Sequence, residues 1–280
     1  MPATVPEACQ ALTGDGALAL GGGTAMGLLL RNGLVEPERL VWLGRIAALG
    51  GIAVGTDGSL RIGAATTLAE LARHPEVLRR CASLARAASG AANPRIRAVA
   101  TLGGHLGHAD PRQDLPPVLL ALGASAEVTG VGGTRLVEIA DLLVGFMETS
   151  LAPDELITSV VVPERVGRRD VYLRYTPNSH DDYPTVGVAV DVSVAPDGRV
   201  MGARLALGGV APTAVLVEGV ADALVGRAAS AADLEAVAEA ARSSATPVDD
   251  QRGSAAYKQA MSGLWAVRAV RAALGGADER

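Results

Sequence analysis

Ala17-Leu18-Ala19-Leu20-Gly21-Gly22-Gly23-Thr24-Ala25-Met26 reads as a buried strand running into three glycines and then into the start of a helix. The apolar run is short and stops at a turn signal, as a buried strand does. Glycine tolerates positive φ and lets backbone N–H groups approach an anion, and a helix N-terminus adds favourable partial charge. Thr24 is expected to cap a short helix reaching Arg31. A diphosphate suits this chemistry, and a plain tight turn is the competing reading. The spacing is not Gly-x-Gly-x-x-Gly, because Met26 holds the last glycine's place and no acidic residue follows at the distance a Rossmann unit needs.

About 80 residues downstream comes Thr101-Leu102-Gly103-Gly104-His105-Leu106-Gly107-His108-Ala109-Asp110-Pro111-Arg112-Gln113-Asp114. His105, His108 and Asp110 invite a metal reading, since imidazole and carboxylate ligands occur on loops at such spacings. No further His or Cys pattern completes a closed site. The alternative is a ligand loop whose backbone donors meet phosphate, while Asp114 caps a helix over Pro116–Leu122 or accepts a hydroxyl. Ser83, Ser89 and Ser125 lack a nucleophile-elbow sequence. From Ser89 to Pro117 the chain is rich in Gly, Pro, Asn and Asp and shows no obvious element; loops so long are functional or disordered. Apolar Ile96, Val99, Leu102 and Leu106 favour an ordered ligand-binding stretch.

Outward from the loops, Thr4 to Glu7 offers a capped helix start running to about Leu12. Strands are expected at Leu40–Trp42 and Leu60–Gly63. Thr67 to Glu70 is a second capping box, and Glu76 to Ala88 carries helical spacing through Val77, Leu78, Cys81, Leu84 and Ala88. Pro163–Arg169 reads as a polar connector, with Arg165, Arg168 and Arg169 exposed on it. Beyond it, Thr185–Val194 and Arg199–Leu207 alternate with period two around Pro196-Asp197-Gly198, a β-hairpin. Helices are expected at Ala221–Leu224, Ala231–Arg242 and Ser254–Leu274. His180-Asp181-Asp182 reads as a solvated turn, and Trp42 and Trp265 as packing residues. These readings divide the chain into an αβ unit, 1–165, and a smaller hairpin-plus-helices unit, 170–280.

Composition narrows the function. The 280 residues exceed what one ordinary domain of ~100–200 needs. A hydrophobic share of 49% with 20% charged residues is globular. A net charge of −5, without a basic block, argues against nucleic acid, and 2% aromatics leave little for base stacking. Lys258, the only lysine, lies in a helix-like stretch, so there is no Gly-Lys-Ser/Thr phosphate loop. Cys9 and Cys81 are too few and too far apart for an iron–sulfur cluster or a Cys-rich zinc site, and two cysteines make a reducing cytoplasm the default. No apolar run approaches a ~20-residue membrane span, and the N-terminus lacks a signal-peptide pattern.

The two loops and the text between them resemble the FAD-binding medium subunit of the molybdenum hydroxylases, the family of carbon monoxide dehydrogenase and xanthine dehydrogenase flavin subunits. The likeness is carried by Gly21–Met26, Ile62–Leu68, Asn93–Arg97, Ala100–Gly104, Ala109–Pro111, Asp114–Pro117, Pro153–Ile157 and Asp182–Gly187, in family order over nearly the whole chain. It implies an α+β fold: a two-part FAD-binding domain of the PCMH/vanillyl-alcohol-oxidase-like type, and a smaller C-terminal domain of antiparallel strands and helices. It further implies noncovalent FAD. Leu20, Gly21, Gly22, Gly23, Thr24, Ala25 and Met26 with Thr101, Gly103, Gly104 and His105 would lie at the diphosphate, Asp110 and Asp114 beside the cofactor, and Ile157 and Arg174 near the isoalloxazine. A guanidinium cannot lose its proton, which suits Arg174 to stabilising charge on reduced flavin. His105 stands where the family usually has Asn or Asp, and it either holds the cofactor differently or titrates near neutral pH. The chain also begins close to its first helix, without the family's usual preceding aromatic strand.

By that resemblance, substrate is oxidised at a molybdenum cofactor in a large subunit, electrons cross iron–sulfur clusters in a small subunit, and FAD passes them to NAD, quinone or oxygen. The lack of cysteine clusters here agrees with clusters on a partner. The scarcity of aromatics implies a flavin covered by aliphatic groups and backbone, with Tyr172, Tyr175 and Tyr183 the nearby aromatic candidates. A self-sufficient flavin oxidoreductase, a non-catalytic FAD-carrying assembly module, and a metal-dependent hydrolase are the alternatives.

Overall fold

The structure, a computed structural model, describes residues 1–177 and 179–275. Residues 276–280, the end of the unit expected from 170 onward, lie outside the described residues. Thr4 caps α1 (Val5–Leu12) by accepting from the Glu7 N–H, and the helix buries Ala8, Cys9 and Leu12. β1 (Ala17–Leu20) and β2 (Arg39–Trp42) pair in parallel across α2 (Met26–Arg31). Thr24 does not cap this helix. Ala25 takes the cap position, already in helical conformation and without a side-chain bond, and Gly23 makes the turn at φ +73°.

β3 (Ile52–Val54) and β4 (Leu60–Gly63) form a hairpin, followed by α3 (Leu68–Leu71), which Thr67 caps. The spacing from Glu76 to Ala88 belongs to two helices, α4 (Pro75–Arg80) and α5 (Ala82–Gly90), separated at Cys81 with φ −145° and ψ 62°. Leu78, part of that spacing, is 52% exposed, so the apolar stripe did not run through the break.

The stretch expected to lack elements, Ser89–Pro117, holds α6 (Pro94–Arg97), α7 (Leu102–His108) and the start of α8 (Leu115–Ala121). Asn93 Oδ1 accepts from the Arg95 and Ile96 N–H groups, and Thr101 Oγ1 from Gly104 N–H. Pro116 and Pro117 fall in the first turn of α8, where a missing N–H costs nothing.

β5 (Ser125–Gly130), β6 (Gly133–Glu138), α9 (Ile139–Leu142), β7 (Leu143–Gly145), β8 (Glu148–Thr149) and β9 (Leu156–Val162) complete this half. β9 returns to the centre of an antiparallel sheet ordered β3-β4-β9-β5-β6. Its buried residues, with α3–α5, α7 and α8, make the first core.

The second half begins with the antiparallel sheet β10 (Arg168–Tyr175), β11 (Val186–Val194), β12 (Val200–Gly208) and β13 (Val215–Leu216), in that order. The expected hairpin is β11–β12, turned at Pro196-Asp197-Gly198 with Gly198 at φ +87°. Val186–Val192 are all buried because both faces of the sheet are covered, one by α8 and the other by α12 (Ala255–Ala273). α10 (Val220–Leu224) and α11 (Ala231–Ser244) complete this second core. Trp265 packs as expected, stacked on Tyr175 at 5.2 Å between centroids. Trp42 lies over Gly44 and keeps 39% of its surface open.

The connector is not an exposed arginine tract. The Arg165 side chain is buried in an ion pair with Asp191, and Arg168 Nε lies 2.6 Å from the same carboxylate. A carboxylate buried in mid-strand requires that positive charge. Of the three arginines, Arg169 alone is exposed.

Candidate functional site

The two glycine loops meet. A Cβ on Gly22 would stand 1.8 Å from the Val99 carbonyl oxygen, so the first loop lies directly on the backbone of the second. Cβ atoms on Gly21 and on Gly104 would each stand 2.9 Å from Thr101 Oγ1. The second loop is anchored in turn. Leu102 N–H donates to the Thr66 carbonyl at 2.9 Å and Gly103 N–H to that of Ala64 at 2.8 Å, and a Cβ on Gly103 would meet Ala64 Cβ at 2.7 Å. The Gly63–Leu68 stretch is therefore the floor on which the loops assemble.

Within the described residues, the N–H groups of Gly22, Gly23, Thr24 and Ala25 find no acceptor in the chain. Leu20 through Met26 are all partly exposed. Four consecutive donors without protein partners, on a turn that glycine keeps free of side chains, present an anion-binding surface.

His105 lies on α7 with Nε2 buried and without a partner. Burial first, and His108 second, hold its pKa down to about 3, below an imidazole's ordinary range, which favours the neutral ring and the alternative that His105 holds the cofactor differently. Both Asp110 oxygens belong to Arg112, through Nε at 2.9 Å and Nη2 at 2.8 Å, and Arg112 N–H adds a third bond at 3.0 Å. Burial opposes the Asp110 charge, but these bonds outweigh it and hold the carboxyl below its ordinary range. Among the described residues no set of three His, Cys, Asp or Glu side chains is placed to hold a metal, so His105, His108 and Asp110 do not form one.

Asp114 does not cap α8; its backbone is already helical, with φ −78° and ψ −32°. It accepts a hydroxyl instead, from Tyr172 at 2.8 Å. Arg174 follows Tyr172 by two residues on β10, on the same face, and its Nε stands 3.0 Å from Asp114 Oδ1 without pointing at it. The Arg174 amino groups donate to the carbonyls of Gly90 at 2.5 Å, His180 at 2.8 Å and Asp182 at 2.6 Å. Gly187, opposite Arg174 in the β10–β11 ladder, leaves the space that the Tyr172 hydroxyl fills, since a Cβ there would be 2.7 Å away. Burial pushes the Asp114 carboxyl up to about 6 against the pull of Arg174 and Tyr172. The Tyr172 phenol is pushed well up by burial and by Asp114.

The chain matches two family profiles: residues 1–165 match the FAD binding domain in molybdopterin dehydrogenase, and residues 171–273 match the CO dehydrogenase flavoprotein C-terminal domain. It belongs to the FAD-binding medium subunits of the molybdopterin dehydrogenases. This medium subunit is 34% identical over 261 residues to the nicotine 6-hydroxylase medium subunit of Paenarthrobacter nicotinovorans, covering 93% of this chain and 91% of that one. It is 34% identical over 275 residues to the carbon monoxide dehydrogenase medium chain of Hydrogenophaga pseudoflava, covering 97% and 95%. A solved structure of carbon monoxide dehydrogenase from Hydrogenophaga pseudoflava, lacking the Mo-pyranopterin moiety of its cofactor, superposes with a TM-score of 0.94 at 34% identity, over 98% of this chain and 96% of that one. Quinoline 2-oxidoreductase from Pseudomonas putida 86 superposes with a TM-score of 0.92 at 28% identity, over 98% and 95%. The family and the α+β fold implied by the motifs are thus correct.

The medium subunit's polar residues fall into two groups, the glycine cradle and the Asp114 cluster. Ile157 belongs to neither; it is buried in β9 opposite Val128. Sequence reasoning missed Arg112 as the holder of Asp110, and Gln113, a buried amide whose Oε1 has no partner. A polar residue between an arginine and an aspartate, ahead of a double proline, was the available signal. No helix of the described residues is long and apolar enough to cross a membrane.

Proposed function

We propose that this chain holds FAD noncovalently as the electron-exit subunit of a molybdenum hydroxylase complex. Electrons would arrive from iron–sulfur clusters on a small subunit, after substrate oxidation at a molybdenum cofactor in a large subunit, and leave to an external acceptor. The carrying observation is the run of unpartnered N–H groups from Gly22 to Ala25, packed where Cβ atoms on Gly21 and Gly22 would collide with the opposing stretch at Thr101 and Val99. That cradle fits a diphosphate in charge and in the closeness of approach it permits. Both cysteines are buried, and burial pushes the Cys81 thiol up to about 12, which supports clusters on another chain.

Bound FAD would supply a centre that takes electrons singly and delivers them in pairs. In this reading Leu20–Met26 and Thr101–Gly104 grip the diphosphate, and neutral His105 lines that wall. Asp110 shapes the adjoining turn through Arg112. Arg174, fixed by three carbonyls, keeps a permanent positive charge beside the flavin ring, and Asp114 tempers it. Ile157 contributes apolar surface. A cytoplasmic setting belongs to the same proposal.

Titrating the flavin-free full chain with FAD tests this. The flavin absorption is expected to red-shift and saturate at one equivalent; no spectral change at any FAD concentration overturns the reading. Copurification with a cysteine-rich subunit and a large molybdenum subunit tests the complex. Single-turnover reduction by a small substrate with no partner present favours a self-sufficient oxidoreductase.

A further inference from the structure

Lys258, the chain's single lysine, is 2% exposed. It lies in the first turns of α12, with Nζ 2.7 Å from Asp250 Oδ1 and donating to the Val248 carbonyl at 2.8 Å. Asp250 Oδ1 also accepts from Arg252 N–H at 2.8 Å, and Asp249 Oδ1 from Ala255 N–H at 2.6 Å. Residues 248–253 are thereby strapped to the head of α12.

From the strap, the Arg252 side chain reaches Asp182, Nη2 to Oδ1 at 2.6 Å, with 9% of its surface exposed. Its Nε and Nη1 have no hydrogen-bond partner, and the guanidinium carbon lies 5.9 Å from the centroid of the Tyr183 ring, so both of its charge contacts are to the turn that carries Asp182. Ion pair and ring together anchor the strap to that turn. Asp182 Oδ1 also accepts from Tyr183 N–H at 2.7 Å. The carbonyls of the same turn, His180 and Asp182, hold the two amino groups of Arg174.

We propose that Lys258 is a positioning residue: through Asp250, Arg252 and the Asp182 turn it holds Arg174 against Asp114, so that the C-terminal helix sets the charge on the carboxyl at the flavin site. The inference rests on the assignment of Asp114 and Arg174 to that site. Each link is a short polar contact, so loosening one loosens the next. Without Lys258 the strap keeps only the Asp249 tie to α12, Arg252 is held less firmly on the turn, and two of the three carbonyls at Arg174 loosen with it. The groups facing Asp114 are Tyr172 and Arg174 from β10 and His180 and Tyr183 from the turn that follows. Arg174 is the chief opponent of burial at Asp114, so a looser Arg174 leaves the carboxyl holding its proton more tightly.

The test is a carbon-13 NMR titration of the Asp114 carboxyl in the flavin-free full chain, beside a separate FAD titration of each variant. The wild-type midpoint is expected near 6. Lys258→Met should raise it by about one unit, a tenfold tighter proton, and Lys258→Arg should restore it. Arg252→Gln should raise it equally while leaving the pin on α12 intact, and it carries the test alone if Lys258→Met fails to fold. Wild-type midpoints in both Lys258→Met and Arg252→Gln overturn the positioning role, whatever happens to FAD. A raised midpoint in a chain whose wild type takes up no FAD supports the relay and overturns the flavin assignment.

Discussion

Where they meet, the two glycine loops have similar composition, Gly21-Gly22-Gly23-Thr24 against Thr101-Leu102-Gly103-Gly104, but their backbones are employed differently. In the first, four successive N–H groups donate to nothing in the described chain. In the second, Leu102, Gly103, Gly104 and His105 all donate to the protein, two of them to Thr101 itself. The first loop is an open donor surface and the second is the wall that shapes it. The second also leads into the ionisable groups, Asp110 and Asp114, whereas the first carries none. Glycine content cannot separate these roles; an account of where each backbone donor goes can.

Gly22→Ala should break the comparison most severely, because the new methyl must displace a backbone carbonyl rather than a side chain. A loss of about 3 kcal/mol or more is expected in urea unfolding, with FAD retention abolished. An unchanged denaturation midpoint would mean that the loops do not touch.

The ionisable side of the second loop predicts a pH signature. The Asp114 carboxyl is raised to about 6 in the folded chain, so the folded state binds this proton more tightly than the unfolded state does. Its stabilising contribution is full below the ordinary aspartate range and is lost as pH rises through about 6. The loss amounts to about 3 kcal/mol at ~1.4 kcal/mol per unit. Unfolding free energies of wild type and Asp114→Asn, measured from pH 4 to 8, should diverge across pH 4–6 and run parallel above 7. Parallel curves throughout would remove the raised carboxyl.

Gly103→Ala should cost about 2 kcal/mol through its collision with Ala64. FAD affinity should fall less than about tenfold, since this N–H serves the protein and not the cradle. The smallest contrast is between the two threonines. Thr101→Ala removes a helix cap and should cost about 1 kcal/mol, whereas Thr24→Ala removes none and should stay within about 0.5 kcal/mol in the flavin-free chain. Equal effects at the two positions would erase the distinction between wall and donor surface.

What the sequence showed and hid follows from range. The β11–β12 hairpin, α1 and α12 were legible because period and caps are local. The pairing of β4 with β9 was not, since it joins strands nearly 100 residues apart and β9 is buried without alternation. The helices α6 and α7 were masked by residues that punctuate turns, although Asn93 and Thr101 are ordinary caps. At the site, the motifs singled out both loops, and set Asp114 beside the cofactor and Arg174 with Ile157 near the ring, without pairing Asp114 and Arg174. They were silent on Tyr172 as the hydroxyl donor and on Arg252, because those contacts are made by tertiary packing. For His105 the sequence left two alternatives open, because an imidazole's ordinary range says nothing of its burial.

The burial of Lys258 has a practical side. With the only lysine sealed under the strap, the described surface offers no side-chain amine to an acylating reagent. Cross-linking through lysine side chains would pass over this chain, and most of its neighbours have to be mapped through carboxylates and guanidinium groups.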